Sequence, residues 1–277
     1  MAAPSTPRPV TPVSILADRL AWIREHLGAV DPRLVAEVGR AAELAAGLDA
    51  YTARLTTPES EPLRALAERT AREDWGHHTG GLEQEMLSGH LEGQLLAFLV
   101  HATGAWQVLE IGMFTGYSAL AMAEALESRG GEGRVVACEI DADVARFAQE
   151  CFAASPAGSR IDVRVGPALD TLASLAEAGA AYDLVFIDAD KAGYVSYLTR
   201  LLDADLLTPG ALVCVDNTLM QGEPWLAEKL GGRWGAQSTA NGAAIADFNE
   251  AVAADPRVEQ VVLPVRDGIT LIRRVDR

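Results

Sequence analysis

From about residue 106 onward, short apolar runs alternate with amphipathic stretches, and this alternation narrows the possible folds more than any other feature of the chain. The apolar runs are rich in β-branched and large apolar residues, which is typical of strands buried on both faces of a parallel sheet. Strands are predicted near residues 106–111, 133–139, 161–165, 182–188 and 211–216, and helices near 117–128, 142–153, 168–177 and 191–203. The alternation predicts right-handed βαβ units and an α/β fold, with helices on both faces of a parallel sheet.

The last two apolar runs follow a different rule, because no helix separates them. Val258-Glu-Gln-Val-Val-Leu-Pro and Ile269-Thr-Leu-Ile-Arg-Arg are connected only by the short turn Val265-Arg-Asp-Gly. A crossover between parallel strands needs about a dozen residues or more, which this turn does not offer. We therefore predict an antiparallel pair of strands added to the edge of the sheet.

The amino-terminal quarter differs from the rest of the chain. Residues 1–13 contain several prolines and no apolar core, which predicts a flexible tail and not a signal peptide. Apolar side chains then recur at three- and four-residue steps up to about residue 70, which predicts helices, and a further helix is predicted over 91–101. We expect a helical extension over residues 14–75 and one α/β domain over residues 76–277. The extension could cap the core or form a dimer surface, and we expect a homodimer.

Charge and hydropathy argue against two classes of partner. The chain has 23 Lys and Arg against 39 Asp and Glu, a net charge of −16, which repels phosphate backbones and phospholipid headgroups. We therefore expect no nucleic-acid partner and no membrane partner. No apolar run approaches the roughly 20 residues of a membrane helix, and Cys138, Cys151 and Cys214 form no CxxC pair. These features predict a cytoplasmic protein whose cysteines are reduced packing residues.

Oxygen-bearing side chains end two neighbouring predicted strands. Asp188 ends the run that begins at Asp183, and Asp216 and Asn217 end the run that begins at Ala211. The carboxyl ends of parallel strands meet at one edge of the sheet, where open α/β folds bind their ligands. Oxygen donors without His or Cys favour a hard divalent cation, with Mg²⁺ first and Mn²⁺ or Ca²⁺ open, and argue against zinc.

A glycine-bearing turn follows the first predicted strand. Gly112 removes a side chain where a ligand would approach the backbone, and Gly116 lets the next helix begin against the strand. The turn alone is equally compatible with a tight βα loop. The next strand ends in Glu139, where nucleotide-binding α/β folds place the acid that holds the ribose, although it could instead act at a helix terminus beside Asp141.

The turn favours an adenosine ligand without phosphates. A dinucleotide would be expected to bring GxGxxG, but Met113 and Phe114 stand where the second glycine would be. S-adenosylmethionine is the common adenosine ligand of this kind, and its cationic sulfonium suits a site lined by acids. The acids available are Glu110, Glu139 and Asp188.

Taken together, these motifs resemble the cation-dependent O-methyltransferases of the caffeoyl-CoA and catechol O-methyltransferase type. The resemblance extends from about residue 56 to the carboxyl terminus. Its motifs are Glu92-Gly-Gln94, Leu109-Glu-Ile-Gly112 with Thr115-Gly-Tyr-Ser118, Gly166-Pro-Ala-Leu169, Phe186-Ile-Asp-Ala-Asp-Lys191, Val215-Asp-Asn-Thr218 and Asp267-Gly-Ile-Thr-Leu271. The resemblance implies a Rossmann-like class I methyltransferase fold: a seven-stranded, mainly parallel sheet with an antiparallel edge strand, preceded by N-terminal helices.

The resemblance also implies the roles of single residues. The implied cofactor-binding residues are Met86, Ser88 and Glu92 on the methionine side, Glu110, Gly112 and Ser118 around the amino-acid portion, Glu139 at the ribose, Ala168 at the adenine, and Asp188. The implied metal ligands are Asp188, Asp216 and Asn217. Lys191 lies where the catechol enzymes keep their catalytic lysine, and Asp188 and Lys191 are the predicted catalytic pair.

The residues themselves support the same chemistry. Two neighbouring hydroxyls that chelate a divalent cation are held in place and acidified by its charge. Lys191 could accept the released proton if nearby cations lower its pKa, or it could be a solvated residue of the first helical turn. Asp190 could join the site or cap that helix. The oxyanion would then attack the sulfonium methyl group in line.

The acceptor is less well defined by the sequence. Residues 219–242 differ from the plant caffeoyl-CoA pattern and supply no clear basic cluster for a CoA tail. Residues 86–90, the run Thr218-Leu-Met-Gln-Gly222 and the helical amino terminus resemble a bacterial subgroup. This subgroup includes methyltransferases that act on cyclic enediols, as in the demethyl-4-deoxygadusol step of mycosporine biosynthesis. We therefore expect a small catechol or cyclic enediol. The alternatives are a tRNA-modifying methyltransferase of the same fold and a noncatalytic adenosine-binding protein.

Overall fold

A computed structural model describes residues 8–27, 31–78, 81–226 and 235–275, except for the side chains at 77 and 235–239. The helices are α1 (Pro12–His26), α2 (Pro32–Leu55), α3 (Glu61–Arg72), α4 (Gly89–Thr103), α5 (Tyr117–Arg129), α6 (Ala142–Phe152), α7 (Ala168–Glu177), α8 (Tyr194–Asp203), α9 (Glu223–Leu226) and α10 (Gly235–Ala254). The strands are β1 (Gln107–Ile111), β2 (Arg134–Glu139), β3 (Ile161–Val165), β4 (Tyr182–Ile187), β5 (Leu207–Val215), β6 (Val258–Leu263) and β7 (Ile269–Arg274). Short 3₁₀ helices span Trp75–His77, Gln84–Met86, Pro156–Arg160, Lys191–Gly193 and Met220–Gly222.

The seven strands form one sheet in the order β3-β2-β1-β4-β5-β7-β6. The first five of these are parallel, as the βα alternation predicts, and β7 pairs antiparallel with both β5 and β6. The predicted antiparallel pair at the edge is therefore confirmed. Strand β7 is the one that runs antiparallel to the other six, and it lies between β5 and β6. The edge strand β6 therefore runs in the same direction as the five parallel strands.

The central strands alternate their side chains between two cores. Val108, Leu184 and Phe186 pack with helices α3–α6 on one face, whereas Leu109 and Val185 pack with α7, α8 and α10 on the other. This period of two explains why the sequence of these strands is apolar throughout: both faces are covered. The same alternation places Glu110 on the face that carries Val108, where it is fully buried.

The amino-terminal helices begin earlier and are more divided than the sequence suggests. Helix α1 begins at Pro12, inside the segment expected to be a tail, because Thr11 and Ser14 form a capping box and proline is tolerated in the first turn. The region expected to be helical up to residue 70 is interrupted before Pro32 and before Glu61, each of which opens a new helix behind an Asp or Ser cap. No helix within the described residues is long and apolar enough to cross a membrane.

Candidate active site

Strands β1, β4 and β5 are neighbours in the sheet, and the residue that follows β4 or β5 bonds to the last residue of the strand beside it. This arrangement brings the predicted acids together at one edge of the sheet. The backbone N–H of Asp188 donates to the carbonyl of Ile111 at 2.9 Å, and that of Asp216 donates to the carbonyl of Ile187 at 3.0 Å. Each acid therefore lies one step beyond the end of its neighbouring strand. A cavity opens at this edge, lined by Met86, Leu87, Ser88, Gly112, Met113, Phe114, Tyr117, Ser118 and Asp188.

Position 112 requires glycine for a structural reason in addition to ligand access. Its φ is +90°, and a Cβ at this position would lie 2.0 Å from the carbonyl oxygen of Asp188. Any side chain here would therefore push the β1 turn away from the end of β4. Gly116 likewise allows close contact, here with helix α6: a Cβ on Gly116 would lie 2.3 Å from the ring of Phe152.

Glu139 connects the turns that follow strands β1 and β2. Its Oε2 accepts a hydrogen bond from the N–H of Phe114 at 2.8 Å, and its Oε1 accepts one from the N–H of Asp141 at 2.9 Å. Asp141, and not Glu139, caps helix α6. Burial raises the pKa of Glu139, and the backbone donors oppose that rise. A carboxylate has about four acceptor positions, so Glu139 can still accept from a ligand hydroxyl.

Glu110 is a fully buried acid on strand β1, two residues before Gly112 of the cavity lining. Neither carboxylate oxygen completes a hydrogen bond of ordinary geometry among the described residues. Burial raises its pKa to about 8, the nearby Ser118 hydroxyl opposes this rise, and Asp188 and Glu139 add to it. A buried acid without a partner is costly in the empty protein and suits a cationic ligand group.

Lys191 is held by two neighbours, and its pKa is raised. Its Nζ donates to Asp188 Oδ1 at 2.9 Å and to the Tyr194 hydroxyl at 2.8 Å. Burial acts to lower the pKa of Lys191, but Asp188, Tyr194 and Asp216 outweigh it and raise that pKa. Whether bound cations lower this pKa stays a prediction. The alternative of a solvated lysine is wrong, since the Lys191 side chain is only 12% exposed.

Asp216 is buried and only partly satisfied. Its Oδ1 has no hydrogen-bond partner among the described residues. Burial raises its pKa to about 7, Asp188 raises it further, and Lys191 lowers it. Because Asp188 raises the pKa of Asp216, the pair favours either protonation of one carboxylate or a cation between the two.

Asn217 and Asp267 form the far side of this edge. Asn217 has a φ of +59°, and its side-chain Nδ2 donates to Asp267 Oδ2 at 3.4 Å. Asp267 Oδ1 also accepts from the backbone N–H of Gln221 at 2.6 Å. Burial raises the pKa of Asp267 to about 7. Asp190, the ambiguous residue, makes no side-chain cap and instead accepts from the Tyr197 hydroxyl at 2.5 Å.

The structure brings the three predicted metal ligands to one edge without showing a metal site. Among the described residues, no group of three or more His, Cys, Asp or Glu side chains has an arrangement that could hold a metal ion. The predicted set has only two carboxylates, Asp188 and Asp216, with Asn217 as the third oxygen donor. The unpartnered Asp216 Oδ1 fits a hard cation at this place.

Four predicted cofactor residues are not part of the cavity lining: Glu110 and Glu139, described above, and Glu92 and Ala168. Glu92 is 1% exposed, and its Oε2 lies 3.6 Å from the Nε of Arg266. Burial, followed by Asp216, raises its pKa well above the usual range. Ala168 begins helix α7, and the N–H of Gly166 just before it donates to the carbonyl of Glu139 at 2.9 Å. The cofactor contacts of all four residues stay predictions.

Three residues near the site were not singled out from the sequence. Tyr194 holds Lys191, Tyr117 lines the cavity, and Arg266 pairs with Glu92. The three-residue spacing of Lys191 and Tyr194 was a usable signal, since it places two side chains on one helix face. Arg266 gave no such signal, because its partners are far away in the chain.

The sheet order, the glycine turn and the acids at the strand ends define the class of protein: a Rossmann-like methyltransferase. The sequence model described as O-methyltransferase matches residues 54–275. Caffeoyl-CoA O-methyltransferase 2 of Petunia hybrida is 36% identical over 220 residues, covering 78% of this chain and 85% of the relative. The chain therefore belongs to the O-methyltransferase family, and it is an S-adenosylmethionine-dependent enzyme of the caffeoyl-CoA O-methyltransferase type.

Solved structures agree with this assignment. The S-adenosylhomocysteine-bound methyltransferase PaMTH1 of Podospora anserina is 28% identical with a TM-score of 0.73, covering 84% of this chain and 96% of that chain. Cofactor-bound Rv0187 from MTB is 26% identical with a TM-score of 0.61, covering 97% of this chain and 98% of that chain. The second likeness includes the amino-terminal helices, which precede the part matched by the family.

Proposed function

We propose that this O-methyltransferase uses a divalent cation, Mg²⁺ before Mn²⁺ or Ca²⁺, and methylates one of two vicinal hydroxyls of a small catechol or cyclic enediol. The observation that carries the proposal is the buried Asp216, whose Oδ1 lacks a partner among the described residues beside a second carboxylate, Asp188. An oxygen-only donor set of this kind suits a hard cation.

The cofactor half of the proposal rests on the acids of β1 and β2. Glu110 offers a buried carboxylate, unpartnered within the described chain, to the ammonium of the amino-acid portion of S-adenosylmethionine, and Glu139 offers acceptors to the ribose hydroxyls. Ser118 and Gly112 complete the same edge. The net charge of −16 also favours a cationic methyl donor.

The acceptor half rests on Asp188, Asp216 and Asn217, which would hold the cation. When bound, the cation supplies the positive charge that holds both oxygens of a diol and favours loss of a proton from one of them. In the structure Lys191 is an ammonium whose raised pKa keeps it charged at neutral pH. We therefore propose that it stabilises the acceptor oxyanion and accepts a proton only if its interaction with Asp188 weakens.

Methyl transfer then requires mainly positioning. The acceptor oxygen forms a bond to the methyl carbon while the bond from that carbon to sulfur breaks, which yields a methyl ether and S-adenosylhomocysteine. In-line geometry and exclusion of water supply most of the rate gain in such a reaction. Within the described residues, Tyr194 and Asp188 hold the Lys191 ammonium in place for this purpose.

The decisive experiment is methyl transfer from S-adenosylmethionine to a panel of catechols, caffeoyl esters and cyclic enediols, including demethyl-4-deoxygadusol. We expect product with Mg²⁺, its loss with EDTA, and its recovery when Mg²⁺ is added back. Asp216→Asn should lose activity while still binding S-adenosylhomocysteine. Activity that survives EDTA or Asp216→Asn would contradict the metal role. Of residues 219–242, which differ from the plant pattern, 227–234 and the side chains at 235–239 lie outside the described residues. The panel therefore decides among these acceptors.

We also propose that two copies associate through helix α2. Exposed apolar side chains form a stripe on this helix: Leu44, Leu48, Tyr51 and Leu55 are 81%, 47%, 58% and 60% exposed. Their spacings of four, three and four residues are the same whether the helix is followed from its amino or its carboxyl end. A second copy related by a two-fold axis can therefore lie antiparallel on the stripe, with Leu44 facing Leu55 and Leu48 facing Tyr51.

A further inference from the structure

The tight turn between β6 and β7 contains an arginine in an unusual conformation. The N–H of Gly268 donates to the carbonyl of Val265 at 2.8 Å and closes the turn. Arg266, the first residue inside it, has a φ of +50°, in the region that glycine favours. A bulky residue in this region costs free energy, so an interaction of its side chain must offset the strain.

The Arg266 guanidinium binds the segment that borders the cofactor cavity, residues 86–92, which we call the cofactor-side segment. Its Nη1 donates to the carbonyl of Ser88, and its Nη2 donates to the carbonyl of Leu87 at 3.4 Å. Its Nε lies 3.6 Å from the buried carboxylate of Glu92. A Cβ on Gly89 would lie 2.8 Å from Nη1, so the segment has the shape needed to admit the guanidinium.

The next residue binds the opposite side of the site, residues 217–222, which we call the acceptor-side segment. Asp267 accepts from the backbone N–H of Gln221 at 2.6 Å and from Nδ2 of Asn217 at 3.4 Å. Its own carbonyl accepts from the N–H of Leu219 at 2.9 Å. The side chain of Asp267 is buried, so these bonds are shielded from competing water.

We propose that Arg266 and Asp267 form a clamp that joins the cofactor-side segment to the acceptor-side segment, with Arg266 as a positioning residue for methyl transfer. A single peptide bond separates the two residues, so a displacement of one segment is passed to the other. Binding of the cofactor on one side therefore orders the acceptor-side segment before the acceptor arrives. This inference rests on the proposed function, and it extends that function to a link between the two half-sites.

The test measures amide hydrogen exchange in the full chain with and without S-adenosylhomocysteine, in metal-free buffer. In the wild type, we expect the ligand to slow exchange in the acceptor-side segment, at the amide of Gln221 above all. In Arg266→Gln, this protection should disappear, and Kd for S-adenosylhomocysteine should rise about tenfold, as expected for the loss of a hydrogen bond from a charged group. Arg273→Gln, which removes an exposed arginine paired with Glu259 on the same hairpin, is the matched control and should behave like the wild type.

A second variant separates positioning from folding. Arg266→Lys keeps a positive charge near Glu92, but lysine lacks the planar guanidinium that donates to the carbonyls of Ser88 and Leu87 together. We expect its thermal stability to approach that of the wild type while the protection of the acceptor-side segment stays lost. Unchanged protection in both Arg266 variants, or no protection in a wild type that binds S-adenosylhomocysteine, would overturn the clamp alone. A wild type that binds no S-adenosylhomocysteine would overturn the clamp together with the proposed function.

Discussion

Replacing Glu110 with glutamine tests how a buried acid without a partner among the described residues affects stability. Burial takes the pKa of Glu110 from 4.5 to about 8 in the folded protein. Between these two values the native protein keeps a proton that the unfolded chain releases, so the free energy of unfolding falls as pH rises. Over pH 5 to 8 this linkage amounts to about 3 to 4 kcal/mol. Glutamine is neutral and similar in shape, so Glu110→Gln should not show this loss.

The assay is urea unfolding followed by tryptophan fluorescence at pH 5.0, 6.5 and 8.0 in metal-free buffer. The variant should gain about 3 to 4 kcal/mol relative to the wild type between the lowest and the highest pH. Glu132→Gln, on an exposed loop, is the matched control and should show no such trend. Saturating S-adenosylmethionine should reduce the trend in the wild type, because its ammonium would stabilise the charged form of Glu110.

A difference between variant and wild type that stays constant across this pH range would refute the reasoning. It would mean that Glu110 is charged in the empty protein, and hence that a partner stabilises it there. Loss of S-adenosylhomocysteine binding in Glu110→Gln is expected separately. A stabilised variant that no longer binds the ligand would show that the acid is retained for binding at a cost in stability.

The remaining predictions concern other parts of the chain. Gly112→Ala should lower the free energy of unfolding by about 2 kcal/mol or more, because its Cβ would overlap the backbone just after β4. Gly104 also has a positive φ, but no atom lies within 4 Å of the position of its Cβ, so Gly104→Ala should lower the free energy of unfolding less in the same urea assay. Tyr194→Phe removes a hydrogen-bond acceptor from the buried Lys191 ammonium, so stability should fall by about 1–3 kcal/mol and kcat should fall more than the KM for S-adenosylmethionine changes; an unchanged kcat would contradict the role of this pair. Leu48→Glu should convert a dimer to a monomer in light scattering, and a monomeric wild type would end the dimer proposal. No retention of tRNA is expected in filter binding at low salt, and retention would favour the tRNA-modifying alternative.

Much of the fold followed from local pattern. Alternating strands and helices after residue 106 required a parallel sheet, since consecutive parallel strands need a crossover. The short turn before Ile269 required an antiparallel pair, because it has no room for one. The boundaries of the amino-terminal helices depended on caps such as Thr11, which a periodic apolar pattern does not locate.

The sequence by itself also determined where the chemistry lies: Gly112, Glu139, Asp188 and Asp216 follow strand ends, and parallel strands bring their carboxyl ends to one edge. Only the tertiary structure decided the state of these groups. The pKa of Lys191 is raised by Asp188 and Tyr194, each three residues away, and also by Asp216, which follows another strand. Burial, and the share of hydrogen bonding and pKa that comes from neighbours distant in the chain, are not encoded by any local pattern.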